Sequence, residues 1–587
     1  MKGQTLYEFI LTEEIAYQAR GVPITDGYEW HMIEHIKKST LYKNSKFTTG
    51  PDDGNRPFKN IVRPILNVAY RSEGFDVKDI EPFVDDSDLY WQSFLVKKFH
   101  DRWAWMNDVN SFIDELVESY VDMGGTLVKM VNSKIPEIVP LQRLAFCDQT
   151  NLKGGPICEK YTFLADELYD MVDLGWYSDK IDEAITMATA ERSSTQNNGV
   201  NARTPSKYIE VYAIHGMLPS EWLGDQSLTK QYTRQTQYVT FYQDNKGEKH
   251  GITLWKGAVK KNIYKVLLRD KIFGRALGLG GVEELFEPQV WTNYSQIQIK
   301  EMLDKAALII WQTADADLAE RENVSNVRKG QILKHAESMP LELVDTRALN
   351  LPAFENAAAE WEQHARTMGS ADEAMLGKSP ASGTPFKLQD LVVQQGNGLH
   401  DWRRGKIANF VGEIYRDWVI PYLVSDMKKG SKWLGELSLD EMQTLAENVA
   451  TNFVNEKVKD LILNYNVVSP EEMQTMIDTA KSVFMKGGNK KFIEIIEGEM
   501  EDAPINVQVN VAGKQKNLDV MTDKLVNIFR QIISNPQILA VPGMAKIFNQ
   551  ILEYSGFSAV DFSSFANMKP APAAPVNNQT LQPAPAA

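Results

Sequence analysis

Apolar residues recur at three- and four-residue steps along several long stretches and alternate along others, so the chain predicts a mixed fold in which helix outweighs strand. From Phe58, FKNIVRPILNVAYRSEGFDV sets Ile61, Ile65, Val68 and Ala69 at helical spacing and stops at Gly74. A second helical pattern covers 91–120. DMGGTLVKMVN ends it: Gly124 and Gly125 introduce a β-rich run over 126–131, and IPEIVPLQRLAF continues in short extended pieces. Helix returns over 164–190, and ERSSTQNNGVNARTPS (191–206) is polar enough for an exposed loop. YIEVYAIHGML, TQYVTFYQD and HGITLWKG then read as strands, giving a β-rich block over about 208–268.

The second half is mostly helical. GLGGVEELFEPQVWTNYSQIQIKEMLDKAALIIWQTA opens on glycines and predicts a helix over 282–312, with Pro288 near its first turn or at a kink. DADLAERENVSNVRKGQILKHAESMPLELVDTRALN is mixed and polar, with extended pieces near 331–333 and 341–344. It reads as a small insertion before PAFENAAAEWEQHARTMGSADEAML, a helix with Pro352 in its first turn. The loose stretch GKSPASGTPFKLQDL (377–391) sets small residues beside Lys378 and leads into the longest helical pattern, 386–427. There Leu388, Leu391, Leu399, Trp402, Phe410, Ile414 and Trp418 fall mostly at three- and four-residue steps. Such a helix runs ~60 Å at ~1.5 Å per residue, with Gly396, Gly398 and Gly405 as its expected bends. Amphipathic helices are expected over 438–465, 470–485 and 518–554. INVQVNV alternates Ile505, Val507, Val509 and Val511 with polar residues as a half-buried strand, and KPAPAAPVNNQTLQPAPAA is low-complexity and expected to be disordered.

Composition narrows the classes. The 587 residues allow three or four domains, taking ~150 residues for each. No run approaches the ~18 apolar residues of a membrane span, and MKGQTLYEFILTEEIAY carries acids inside its apolar part, unlike a secretory signal. A cytoplasmic origin is expected. Cys147 and Cys158 lie in no metal-ligand pattern and are expected to be buried or idle thiols. The net charge of −15 argues against a clamp on nucleic acid, whose affinity comes from Lys and Arg displacing counterions, but not against contact with DNA that must slide.

Chemical motifs are sparse. HMIEH matches H-x-x-E-H, in which His31 and His35 share a zinc ion and Glu34 is the general base of a metallopeptidase; the competing reading is an ordinary helix turn. GLGG (278–281) lacks the G-x-G-x-x-G spacing, and GKS (377–379) copies only the end of a Walker A sequence, so no ATPase is expected. The scattered histidines pair with no nucleophile, and the thirteen tryptophans suit cores and interfaces. KKGSK (428–432) and KGGNKK (486–491) read as solvated faces. The expectation is a protein that is not an enzyme and needs no cofactor and no metal.

The order of elements is more specific than any motif. NIVRPILNVAYRSEGF, then DMGGTLVKMV with VPLQRLAFCDQTNL, then GGVEELFEPQVWTNYSQIQIKEML with its internal Gln289, then GKSPASGTPFKLQDLVVQQGNGLHDWRR, resembles the portal (head-to-tail connector) proteins of tailed bacteriophages up to about residue 554. The resemblance implies an α+β, mainly α-helical protomer. An N-terminal wing region would cover 1–281, a stem helix 282–312, a clip 313–350 and a second stem helix 351–370. A tunnel loop would cover 371–385, the long wing helix and its connection 386–437, wing and crown helices 438–568, and the Pro/Ala tail 569–587. It implies a ring, typically of twelve copies, at one capsid vertex of the virion, through which double-stranded DNA is packaged and ejected. The implied partners are terminase, major capsid and scaffold proteins and a head-tail adaptor. The implied DNA-channel residues are Lys378, Ser379, Ser382, Gly383, Thr384 and Lys387. Arg321, Arg328 and Lys329 fall in the clip, and Lys514 and Lys516 in the crown. A ring also explains the loose loop, because identical copies turn Lys378 into a girdle of charge around a hole. The competing classes are the zinc metallopeptidase and a structural scaffold of another assembly.

Overall fold

The computed structural model describes residues 5–50, 56–84, 90–130, 135–195, 208–224, 230–243, 248–308, 310–316, 336–344, 350–371, 375–376, 398–427, 431–436, 469–486, 490–495 and 505–509, with short pieces between 446 and 461. The chain forms two compact units, one of residues 1–88, 93–427 and 500–513 and another of 89–92, 428–499 and 514–587. The fold is α+β, with helix outweighing strand among the described residues.

The larger unit starts with helix α1 (Leu6–Ala19), where Thr5 and Glu8 close a capping box. The hairpin β1 (Val22–Thr25) and β2 (Tyr28–Trp30) and helix α2 (Met32–Lys43) follow. Helix α3 (Val62–Glu73) buries Ile65, Val68 and Ala69 behind buried Ile61 and stops at Gly74, as its pattern predicts. After β3 (Ile80–Val84), the single helical pattern over 91–120 is two helices, α4 (Tyr90–Met106) and α5 (Val109–Met123). Asp108 between them is left-handed at φ 48°, a conformation no helix interior tolerates.

Strands β4 (Gly125–Lys129), β5 (Glu137–Val139), β6 (Leu144–Phe146) and β7 (Ile157–Phe163) lead to helices α6 (Ala165–Asp170) and α7 (Ser178–Thr195). Strands β8 (Ile209–Pro219), β9 (Tyr232–Gln243), β10 (Lys249–Ala258) and β11 (Tyr264–Leu268) complete the block. Two antiparallel sheets result, in strand orders β10-β9-β8-β7-β6 and β11-β4-β5. The five-stranded sheet is covered on both faces: Tyr212 and Ile214 pack into a core with Phe9 and Ile10, Val211 into another with Leu168 and Ile181. That explains why β8 is a nearly continuous apolar run without the alternation of a half-exposed strand.

The GLGG run packs backbone on backbone. Gly124, at φ 76°, accepts hydrogen bonds at its carbonyl from the Arg269 and Gly278 amides, at 3.0 and 3.1 Å. A Cβ at Gly124 would lie 2.3 Å from the Gly278 carbonyl oxygen, so these glycines are needed for close approach.

The predicted 282–312 helix is divided and shortened: α8 (Gly281–Glu284), then α9 (Phe286–Ala306). Its expected C-terminal part is instead β12 (Trp311–Gln312), paired with β13 (Glu342–Leu343), because a short apolar run fits strand as well as helix until a partner is present. Helix α10 (Leu351–Met368) has Pro352 in its first turn, as expected. Over the described part of 386–427 the backbone is helical throughout: α11 (Gly398–Ile414), a π turn at Tyr415–Val419, then α12 (Ile420–Met427). The departure from α geometry therefore lies at the π turn, whereas Gly398 and Gly405 sit in regular helix. Buried Tyr415 places its hydroxyl 3.1 Å from His100 Nε2, fixing that turn.

In the smaller unit β14 (Ser431–Glu436) pairs with β15 (Lys490–Ile495), and helix α13 (Pro470–Lys486) lies between them in sequence. The lysine runs 428–432 and 486–491 lead into these strands, and residues 428–430 and 487–489 lie outside the described residues. The register sets Lys432 opposite Glu494 and Glu436 opposite Lys490. The strand predicted in INVQVNV is β16 (Ile505–Val509), which belongs to the larger unit and pairs antiparallel with β3 there. Among the described residues no helix is long and apolar enough to cross a membrane.

Candidate functional site

Helices α9 and α10 pack against each other as an antiparallel hairpin, about 30 Å long at ~1.5 Å per residue. Trp291 stacks on Trp361 across it with ring centroids 6.0 Å apart and planes 9° from parallel. At the tip, β12 and β13 pair and the Val344 amide donates to the Ile310 carbonyl at 2.8 Å. Buried Asp315 accepts from the Ala336 amide at 2.7 Å, closing the described part of the tip. Helix α9 carries three carboxylates against two lysines, and α10 three against one arginine, so the hairpin is net acidic. It also exposes large apolar side chains along its length: Trp291 is 45% and Tyr294 49% accessible, with Leu303, Leu308, Trp311 and Leu343 beyond them.

The root of the hairpin is locked by amides. Fully buried Gln289 accepts from the Ile61 amide at 2.9 Å and donates to the Lys59 carbonyl at 2.7 Å, while Asn293 accepts from the Lys59 amide at 3.1 Å. The segment before α3 is thereby hydrogen-bonded to α9 in one register. Lys59 Nζ reaches Glu362 on α10 at 2.7 Å. Burial opposes the Glu362 charge, but the Lys59 hydrogen bond and the Lys59 and Arg366 charges outweigh it and hold the carboxyl below its ordinary range.

Behind the root lies a buried ionic cluster. Glu73, the last residue of α3, accepts from Arg269 Nη2 at 3.1 Å and from His400 Nδ1 at 3.0 Å. Arg403 donates to Asp270 at 2.7 Å, Lys406 to the Arg269 carbonyl at 2.6 Å and Arg404 to the Ser72 carbonyl at 3.0 Å. Desolvation lowers the Lys406 pKa and raises that of the neighbouring Glu284. The cluster joins α3, the end of β11, α8 and the start of α11 through charges that a dry interior leaves no alternative partners. Sequence reading missed it, although a signal was present. Glu73 continues the buried stripe Ile65 and Ala69 at four-residue steps, and His400 and Arg403 continue the stripe Ile407, Phe410 and Ile414.

The sequence-derived site residues fare differently. Lys378, Ser379, Ser382, Gly383, Thr384 and Lys387, Arg321, Arg328 and Lys329, and Lys514 and Lys516 all lie outside the described residues. The HMIEH residues are described and turn to separate partners. His31 caps the start of α2 in extended backbone, with Nε2 3.6 Å from Glu29. Glu34 faces Lys38 at 3.8 Å, and buried His35 points inward, 3.7 Å from Glu283 and 3.4 Å from the Met123 carbonyl. Desolvation lowers the His35 pKa. Among the described residues no three His, Cys, Asp or Glu side chains gather into a metal-binding set. Cys158 is buried and burial raises the thiol pKa of both cysteines, that of Cys147 to about 12.

No protein-family model matches the chain, and no curated protein matches it. A solved structure, the virion of a native gene transfer agent (GTA) particle, is similar at 9% identity and a TM-score of 0.31, covering 94% of this chain and 99% of that one. A likeness of that size decides neither fold nor role.

Proposed function

We propose that this chain is a portal protein: one subunit of a ring, typically of twelve copies, at a capsid vertex, through which double-stranded DNA enters and leaves. The observation that carries the reading is the α9–α10 hairpin. It is a pair of antiparallel helices with a two-stranded tip, net acidic, with exposed aromatics along it, and helical backbone at 398–427 follows. Neighbouring copies would cover the apolar residues, and the acidic hairpin would line a channel that guides a duplex without trapping it. Terminase, capsid and scaffold proteins and a head-tail adaptor are its partners in this reading, and the chain performs no catalytic step itself. Negative-stain electron microscopy with mass by light scattering tests it. Rings with a central hole wider than the ~20 Å duplex are expected. A compact monomer that persists with capsid and scaffold proteins present overturns it.

A further inference from the structure

We propose a phosphate-binding cleft at one end of the five-stranded sheet, formed by Lys153, the Gly154–Gly155 loop, His215, Arg234 and Asn262. The start of β7, the end of β8 and the start of β9 meet there, since Ile157 pairs with His215 and Thr236 pairs with His215 on the other side. A cavity of ≈ 90 Å³ opens between them, room for several waters or one tetrahedral oxyanion. Lys153 and Arg234 line it and no Asp or Glu does, in a chain where acids outnumber bases 78 to 63. Asp148 flanks the glycine loop: its Oδ1 accepts from the Thr150 amide at 2.8 Å and hydroxyl at 2.6 Å, while its Oδ2 lies beside Gly154, so an anion must enter on the Lys153 and Arg234 side. Neither Lys153 nor Arg234 has an ion pair among the described residues.

His215 supplies the second, independent observation. It is 3% accessible, its Nδ1 lies 2.7 Å from the Thr236 hydroxyl, and its Nε2, with the Asn262 side chain beside the ring, makes no well-formed hydrogen bond among the described residues. A buried ring nitrogen left unpaired costs stability unless a ligand meets it. Burial and the Arg234 charge outweigh the Asn262 hydrogen bond and lower its pKa to about 4, so the ring is neutral at pH 7 and the cations carry the charge. The walls are close-fitting: a Cβ at Gly216 would lie 2.7 Å from Pro156 Cα, which holds the glycine loop against β8. The turn carrying Asn262 is tied to β9 by the Val259 amide, which donates to the Arg234 carbonyl at 2.9 Å. Two unpaired cations, a peptide loop and an uncharged imidazole suit a phosphate group, whether free or in a nucleic-acid backbone.

Isothermal titration of the full chain with inorganic phosphate tests this, beside Lys153→Met, Arg234→Met and, as control, Lys180→Met, with circular dichroism to verify folding. Saturable binding is expected, weakened about tenfold by each cleft variant and unchanged in the control. Lys153 is exposed, so its substitution leaves the fold intact even where that of Arg234 does not. A titration with a short DNA duplex identifies the source. A duplex that competes with phosphate assigns the cleft to a nucleic-acid backbone, and one that leaves the phosphate isotherm unchanged assigns it to the free anion. Absence of saturable phosphate binding, or wild-type affinity in Lys153→Met, overturns the proposal.

Discussion

Replacing Glu73 with glutamine keeps the side-chain shape and removes the charge on which Arg269 and His400 converge. Glu73 is 0% accessible and its partners are nearly as buried, so water cannot substitute. Arg403 keeps Asp270 and Lys406 keeps a carbonyl, but Arg269 is left with the Val121 carbonyl at 3.3 Å. One uncompensated buried cation sets the expected loss near the bottom of the range for breaking a buried pair, about 3 kcal/mol. Because the chain has two units, a single global unfolding energy is ill-defined. Hydrogen exchange read by mass spectrometry on peptides from α3 and α11 reports the local opening instead. About 3 kcal/mol corresponds to exchange about a hundredfold faster in both peptides at once. A second variant isolates the cause: Glu73→Met with Arg269→Met should protect α3 better than Glu73→Met alone, since no unpaired charge remains. Exchange within about threefold of wild type in Glu73→Gln would refute the claim that this carboxylate holds the long helix to α3.

Gly124→Ala meets both a positive φ and the Gly278 carbonyl, so it should destabilise by several times the ~1 kcal/mol of an ordinary glycine change, read as lost soluble yield and a lower melting temperature. Trp291→Ala together with Tyr294→Ala should lower the oligomer mass by light scattering with little change in the subunit's circular dichroism, because both side chains are half exposed within one chain. His215 predicts a pH dependence: its folded pKa lies below the unfolded value of 6.5, so its contribution is full above pH 6.5 and is lost as pH falls toward about 4. Melting temperatures of His215→Gln should fall less steeply than wild type over that window. Lys378→Ala should leave ring assembly intact and alter DNA retention in packaging assays; loss of the ring refutes a channel-facing role.

Several elements were legible because their information is local. Ile61, Ile65, Val68 and Ala69 specify the buried face of α3, Gly74 its end and Pro352 the start of α10, since helical periodicity and cap chemistry act within a few residues. The three strands after 208 and the strand in INVQVNV were likewise readable. Other features depended on who meets whom. Trp311–Gln312 leaves the helical pattern because Glu342–Leu343 pairs with it, and Lys432 belongs to a strand because Lys490–Ile495 lies alongside. His31 and His35, four residues apart, look like a ligand pair in sequence, yet Glu29 and Glu283 turn them to separate tasks. The chain by itself determined the alternation of helix and strand and the acidic balance. Tertiary structure alone decided the cluster that gathers Glu73, Arg269 and His400 from positions up to 327 residues apart, because burying a charge is tolerable only where the fold brings its partner.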